Sequence, residues 1–374
     1  MVQRHISELE NTGQPGFFDL AERHDKLTQM RDPLVVLKKE IDWEAFRADL
    51  AKIHEKNRKS AAGAKPWDVV RMFKVLILQQ TYNLSDEQIE YQIRDRLSFM
   101  RFLGLRMEDK VPDAKTVWLF REHLATHGLA EKLFARFHEQ LARQGFVAKG
   151  GQMIDATFVE VPRQRNSREE NEQIKAGEAP KDWDDKPPKK RQKDIDARWA
   201  KKGDETHYGY KNHVNVDDEH KLVQSYAVSD ASVHDSQVFD ELLDHTLDEQ
   251  GGKRPVYADS AYCSAAQEDK LAQAKIKSRI CEKGVRNHPL TDEQKASNKS
   301  KSKTRVRVEH VFGTQAQMGG HIVRTIGLVR AAVKIGLMNL AYNMKRLGQL
   351  LKYGAKSVSS YPMPRCRIGA PIAT

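Results

Sequence analysis

Between residues 33 and 148 apolar side chains recur at helical intervals. Trp43, Phe46 and Leu50 stand three and four positions apart, Val69, Phe73 and Leu76 repeat that interval, and Val117, Phe120 and Leu124 repeat it again, so each set falls on one face of a helix. Ser85 with Gln88 three positions later has the form of a capping box that opens another helix. Pro112-Asp113 punctuates the segment. The expectation is an all-helical N-terminal module of several short helices.

After Gly150-Gly151 the period shortens to two. Ile154, Ala156 and Phe158 alternate with Asp155, Thr157 and Val159, the signature of a strand, and it carries an acid among apolar neighbours. Strand-like runs follow at residues 208–216 and 222–228. Val238, Leu242 and His245 mark a helix, 256–258 a short strand, 265–274 a helix and 276–280 a strand. Val308, Val311 and Phe312 mark a last helix, giving the order β, β, β, α, β, α, β, α. Two segments do not fit that packing. Residues 163–202 are dominated by charges of both signs with Pro180, Pro187 and Pro188, which predicts a mobile insertion with too little apolar surface to pack. Residues 295–307 are basic without an acid and are expected to form an excursion.

Composition adds a polyanion to the picture. With 63 Lys and Arg against 52 Asp and Glu, the net charge is +11, which favours nucleic acid or an anionic membrane face. No run approaches the roughly 20 apolar residues of a spanning helix, because Arg71 and Lys74 interrupt the most apolar stretch. Arg4, His5, Glu8 and Glu10 occupy the start of the chain, where a signal peptide would be apolar. A cytoplasmic protein with no membrane partner is expected. Cys263, Cys281 and Cys366 lack metal or disulfide spacing and read as reduced thiols.

Three acids sit where the predicted sheet would gather them. Asp155 lies in the first strand, Asp259 ends the strand at 256–258, on the side of an open sheet where ligands collect, and Glu309 starts the last helix. Phosphodiester chemistry can use such a set: two Mg²⁺ ions roughly 3.5 to 4 Å apart activate the attacking oxygen and stabilise the leaving one, and Mg²⁺ prefers carboxylate oxygen. Singly, each acid has an ordinary alternative. Asp155 fits a solvent-facing edge strand, Asp259 a turn, and Glu309 a salt bridge to Arg305 one helical turn earlier.

The surrounding residues are more specific. The chain resembles the DDE transposases of bacterial insertion sequences, in particular the insertion sequence 5 family, through MIDATFVEVP around Asp155, HYGYKNHVNVD from His207, ASVHDSQ around His234, VYADSAY around Asp259 and RVRVEHVFG around Glu309. PDAKTVWLFREHL from Pro112 also looks like that family's N-terminal region, so the likeness runs from about residue 35 to 350. It implies an RNase H-like catalytic domain with a mixed sheet flanked by helices, two bound Mg²⁺ for which Mn²⁺ can substitute, and cut-and-paste movement of a DNA element by its ends. Asp155, Asp259 and Glu309 are then the metal-binding catalytic acids. The family often has a Lys seven residues after the Glu and a Tyr seven before it. Ala316 and Ser302 stand there, while the Arg four before is retained as Arg305.

Several expectations follow. Arg305, Arg307, Lys303 and Lys211 are candidate DNA contacts, Lys211 having a place at the core edge as its alternative. Asp235 is expected to cap the helix after His234. The chain divides into a tail at 1–32, a helical DNA-binding or dimerisation domain at 33–148, a catalytic domain at 149–352 with the charged insertion at 163–202, and a tail at 353–374. The partners are element ends and target DNA, bound by a homodimer in the bacterial cytoplasm at the nucleoid. A silent DNA-binding descendant and a hydrolytic nuclease of the same fold are the alternatives.

Overall fold

Eight helices precede the first strand in the computed structural model, which describes residues 18–54, 65–245, 252–284 and 288–352. They are α1 (Asp19–Gln29), α2 (Pro33–Glu40), α3 (Arg47–Ala51), α4 (Val69–Thr81), α5 (Asp86–Asp95), α6 (Leu97–Leu103), α7 (Ala114–Thr126) and α8 (Leu129–Arg143). Side-chain acceptors at their starts take up amides that lack intrahelical partners. Asp32 receives the Leu34 amide at 2.9 Å, Asp68 that of Arg71 at 2.8 Å, and Asp113 that of Thr116 at 2.7 Å. The Ser85–Gln88 capping box forms. Helix α1 lies inside the segment expected to be a tail. Arg101 of α6 holds it, donating to His24 O and Thr28 Oγ1, each at 2.9 Å.

The second half is a mixed sheet with helices. Its elements are β1 (Gln152–Glu160), α9 (Arg168–Lys175), α10 (Pro187–Gln192), β2 (Arg198–Lys202), β3 (Glu205–Asp217), β4 (Val223–Asp230), α11 (Asp235–Leu242), β5 (Lys253–Tyr257), α12 (Ala265–Gln273) and β6 (Ile276–Ser278), followed by α13 (Asp292–Arg305), α14 (Glu309–Gln317) and α15 (Leu328–Lys352). Strand order is β2-β3-β1-β5-β6, with β4 also on β3. Central β1 runs antiparallel to β3 and parallel to β5. Leaving β2 aside, β1, β3, β4, α11, β5, α12 and β6 reproduce the expected order, and the domain is RNase H-like. Gly209 lets β3 pass tightly against β1: its φ is +149°, and a Cβ there would stand 2.4 Å from Val159 O.

Packing ignores the boundary expected at residue 148. One core runs from Phe46, Phe73, Leu124 and Phe137 of the helical half through Leu337, Leu340 and Met344 of α15 to Met153, Val214 and Val216 on one face of the sheet. Ile154 points to the other face and packs with Phe239, Val256, Leu271 and Ile276. Amides pin α15 to the sheet. Asn212 and Asn339 exchange hydrogen bonds of 3.0 Å, Gln315 of α14 donates to Asn339 at 2.7 Å, and Asn343 pairs with the Val223 backbone at 2.8 and 2.9 Å.

Five expectations change. The insertion at 163–202 is folded: Trp183 is fully buried, its indole N–H donates to Glu170 Oε1 at 2.7 Å, and Glu170 also accepts from Lys189. Asp194, buried beside it, accepts from the Tyr210 hydroxyl and the Gly327 amide. Residues 295–307 belong mostly to α13, opened by a Thr291–Gln294 capping box. The helix carrying Glu309 is not the last, since α15 follows it. His234 caps α11, accepting from the Ser236 amide, and Asp235 is the first helical residue. The helix ends at Leu242, before His245. The expected C-terminal tail and Cys366 lie outside the described residues, as do residues 1–17.

Candidate active site

The separation of 104 residues between Asp155 and Asp259 is a strand register. Parallel pairing sets Gln152 beside Val256 and Met153 beside Tyr257, and the same offset carries the chain from Asp155 to Asp259 on the neighbouring path. Asp155 sits in the sheet's central strand, not at an edge, so neighbours on both sides shield it from water. Asp259 has just left β5. Its Oδ1 accepts the Ala261 amide at 2.8 Å and so caps the short 3₁₀ turn Ser260–Tyr262. The turn expected there and a role as ligand are compatible, because one carboxylate oxygen remains.

Asp155 is electrostatically strained. Burial pushes its carboxyl up to about 6, the Asp259 charge adds to the push, and the Ala156 amide, Arg305 and Lys202 act against it. Oδ1 accepts the Ala156 amide at 2.8 Å and Oδ2 accepts Arg305 Nη1 at 2.9 Å. Arg305 therefore bridges to Asp155 and not to Glu309. Tyr262 lies in the same pocket. Burial, then the charges of Asp235, Asp155 and Asp259, drive its hydroxyl well above the ordinary range. Its Oη and the Arg305 Nε are buried and have no hydrogen-bond partner.

Glu309, the first residue of α14, is exposed. Among the described residues no three His, Cys, Asp or Glu side chains stand close enough to share a metal ion. The structure thus sets two of the three acids level and leaves Glu309 outside that group. The pair itself suits a hard divalent cation: its donors are carboxylate oxygens, and a cation relieves the repulsion that burial makes expensive. Two buried donors beside it, Tyr262 Oη and Arg305 Nε, are left without acceptors.

The remaining candidates separate by exposure. Lys303 and Arg307 are exposed on the segment joining α13 to α14, and Arg307 makes one 3.2 Å bond to Asp218 O. Lys211 is buried, its ammonium held by Val233 O at 2.7 Å and Asp235 Oδ1 at 2.8 Å. Its core-edge alternative describes that position. His213 is buried against Ser229 Oγ at 2.8 Å, and burial lowers its pKa to about 4. The sequence reading passed over Gln315, Asn339 and Asn212, which fix α14 against the sheet. Asn339 and Asn343, four apart in the otherwise apolar run of α15, are the signal that could have exposed this pinning. Lys202, which acts on Asp155 from β2, was hidden inside the insertion.

No helix among the described residues is long and apolar enough to cross a membrane. Among solved structures, the chain is similar to a piggyBac transposase synaptic complex with hairpin DNA. Identity is 14%, the match covers 88% of this chain and 77% of that one, and the TM-score is 0.45. Two family models match: a transposase domain (DUF772) over residues 22–123, and the transposase DDE domain over residues 148–344. Enzymes of the latter family work with divalent metal ions. That match takes in Asp155, Asp259 and Glu309 and more than half of the chain, which accordingly belongs to the DDE transposase family and is a DNA transposase.

Proposed function

We propose that the chain cuts DNA at the two ends of an insertion sequence of the insertion sequence 5 lineage and joins those ends to target DNA, with Asp155, Asp259 and Glu309 as its catalytic acids. The observation that supports the reading is the parallel register of β1 on β5, whose offset is also that between Asp155 and Asp259, together with the Asp259 charge acting on Asp155. The ions are two Mg²⁺, replaceable by Mn²⁺. When bound they supply positive charge for the leaving oxygen and activate the attacking one. Asp155 and Asp259 hold them from the sheet, and Glu309 closes the set from the start of α14.

Lys303 and Arg307, exposed beside Glu309, take phosphates and orient the DNA strand, so binding weakens steeply with salt. The helical half reads the terminal repeats and contributes to a homodimer that brings two ends together. The protein works in the bacterial cytoplasm, on the nucleoid. Incubation with a donor carrying the element ends, a target plasmid and Mg²⁺ tests the reading. Joined product supports it, cut ends without joining indicate a hydrolytic nuclease, and end binding without cutting indicates a silent descendant.

A further inference from the structure

Arg305 satisfies Asp155 with one arm only. Nη1 donates to Oδ2 at 2.9 Å, while Nε stays buried without an acceptor. A structural Arg–carboxylate pair is commonly two-armed, as Arg121 is with Asp86 at 2.9 and 2.8 Å. The Arg305 contact leaves a buried donor without an acceptor, which a permanent two-armed bridge would avoid.

Its mounting is light as well. Arg305 is the last residue of α13, a helix with no buried residue. The helix is held largely by polar contacts, Asn298 to the Glu282 backbone at 2.9 and 3.0 Å and Lys301 to Ile280 O at 3.0 Å. A 3₁₀ turn, Val306–Val308, anchored by buried Val308, breaks the helix between α13 and α14, and a 3₁₀ break within a helical run often marks a hinge. Moving α13 therefore uncovers little apolar surface, while α14 stays pinned through Gln315 and Asn339.

We propose that Arg305 is the resident counter-cation of Asp155 and is exchanged for the divalent ion, α13 carrying the guanidinium away from the sheet as the ion binds. The inference rests on reading Asp155 as a metal ligand. The acid pair is then kept compact without metal, and the ion must displace a tethered cation, which weakens its apparent affinity. Once released, the guanidinium is available to a phosphate oxygen.

Mn²⁺ binding to the DNA-free full chain, followed by electron paramagnetic resonance, tests this with wild type, Arg305→Gln and Asp155→Asn. Melting curves check that each is folded. Arg305→Gln should bind Mn²⁺ about tenfold more tightly than wild type, and Asp155→Asn should lose the site. Equal or weaker binding by Arg305→Gln, with Asp155→Asn still deficient, overturns the exchange and keeps Asp155 as a ligand. Binding by Asp155→Asn equal to wild type overturns the ligand reading itself. Hydrogen exchange on wild-type protein needs no variant: Mn²⁺ should speed exchange in α13 and leave α14 unchanged, and unaltered α13 exchange contradicts the movement.

Discussion

A single half-buried side chain can carry an electrostatic cost where the two halves of the molecule meet. Lys334 of α15 lies beside the Asp86–Arg121 pair of the helical half. Burial, then the Arg121 charge, brings its ammonium down to about 8, with Asp86 opposing. The unfolded chain, with the ordinary lysine value of 10.5, therefore binds more protons between those values than the folded one. The penalty is complete below about pH 8 and is relieved as pH rises towards 10.5. Lys334→Met should be more stable than wild type at pH 7 in urea melts, and the gap should shrink across pH 8 to 10.5. A constant gap refutes the assignment. Asp155 shows the same effect with the opposite charge, and there the cost falls on an acid proposed to hold metal.

At the scale of elements, the insertion is the most informative departure. Its charge and prolines predict mobility, yet Trp183 and Ile174 are buried, Ala197 packs with Val159, Tyr208 and Ala331, and Glu170 and Asp194 accept the hydrogen bonds that burial demands. Trp183→Ala should cost this unit about 3–5 kcal/mol, and limited proteolysis should then cut first between residues 163 and 202. Cleavage no faster than in wild type would mean the unit is held another way. Elements with a strict period were legible: the alternation around Asp155 is β1, and the Ser85–Gln88 pattern is the capping box. Helix α13 was not, because a helix that buries nothing has no apolar stripe to read. Asp155 and Asp259 could be paired from position alone, since a parallel register is a fixed sequence offset. Arg305 on Asp155 could not, because a contact across 150 residues leaves no local pattern.

For the whole molecule, the shared core decides how the parts behave. Helix α15 places Leu337, Leu340, Met344 and Leu347 against the N-terminal helices, so a fragment of residues 149–352 exposes a contiguous apolar face and should not form a stable monomer. It should bind a hydrophobic dye and lack near-ultraviolet circular dichroism, whereas the full chain should melt in one cooperative transition. A fragment with native-like spectra would show that the halves are separable domains. The coupling matters for function, because α14, which carries Glu309, is fastened to α15 through Gln315 and Asn339. Glu309 is thereby tied to the core that both halves share.

Asp155 and Asp259 are proposed as the metal-holding pair of the transposase. End cleavage in Mg²⁺, measured beside end binding for wild type, Asp155→Asn and Asp259→Asn, tests it most directly. The account predicts that both variants bind the element ends as tightly as wild type and that cleavage falls by at least about 10³-fold. Cleavage by either variant near the wild-type rate would contradict it.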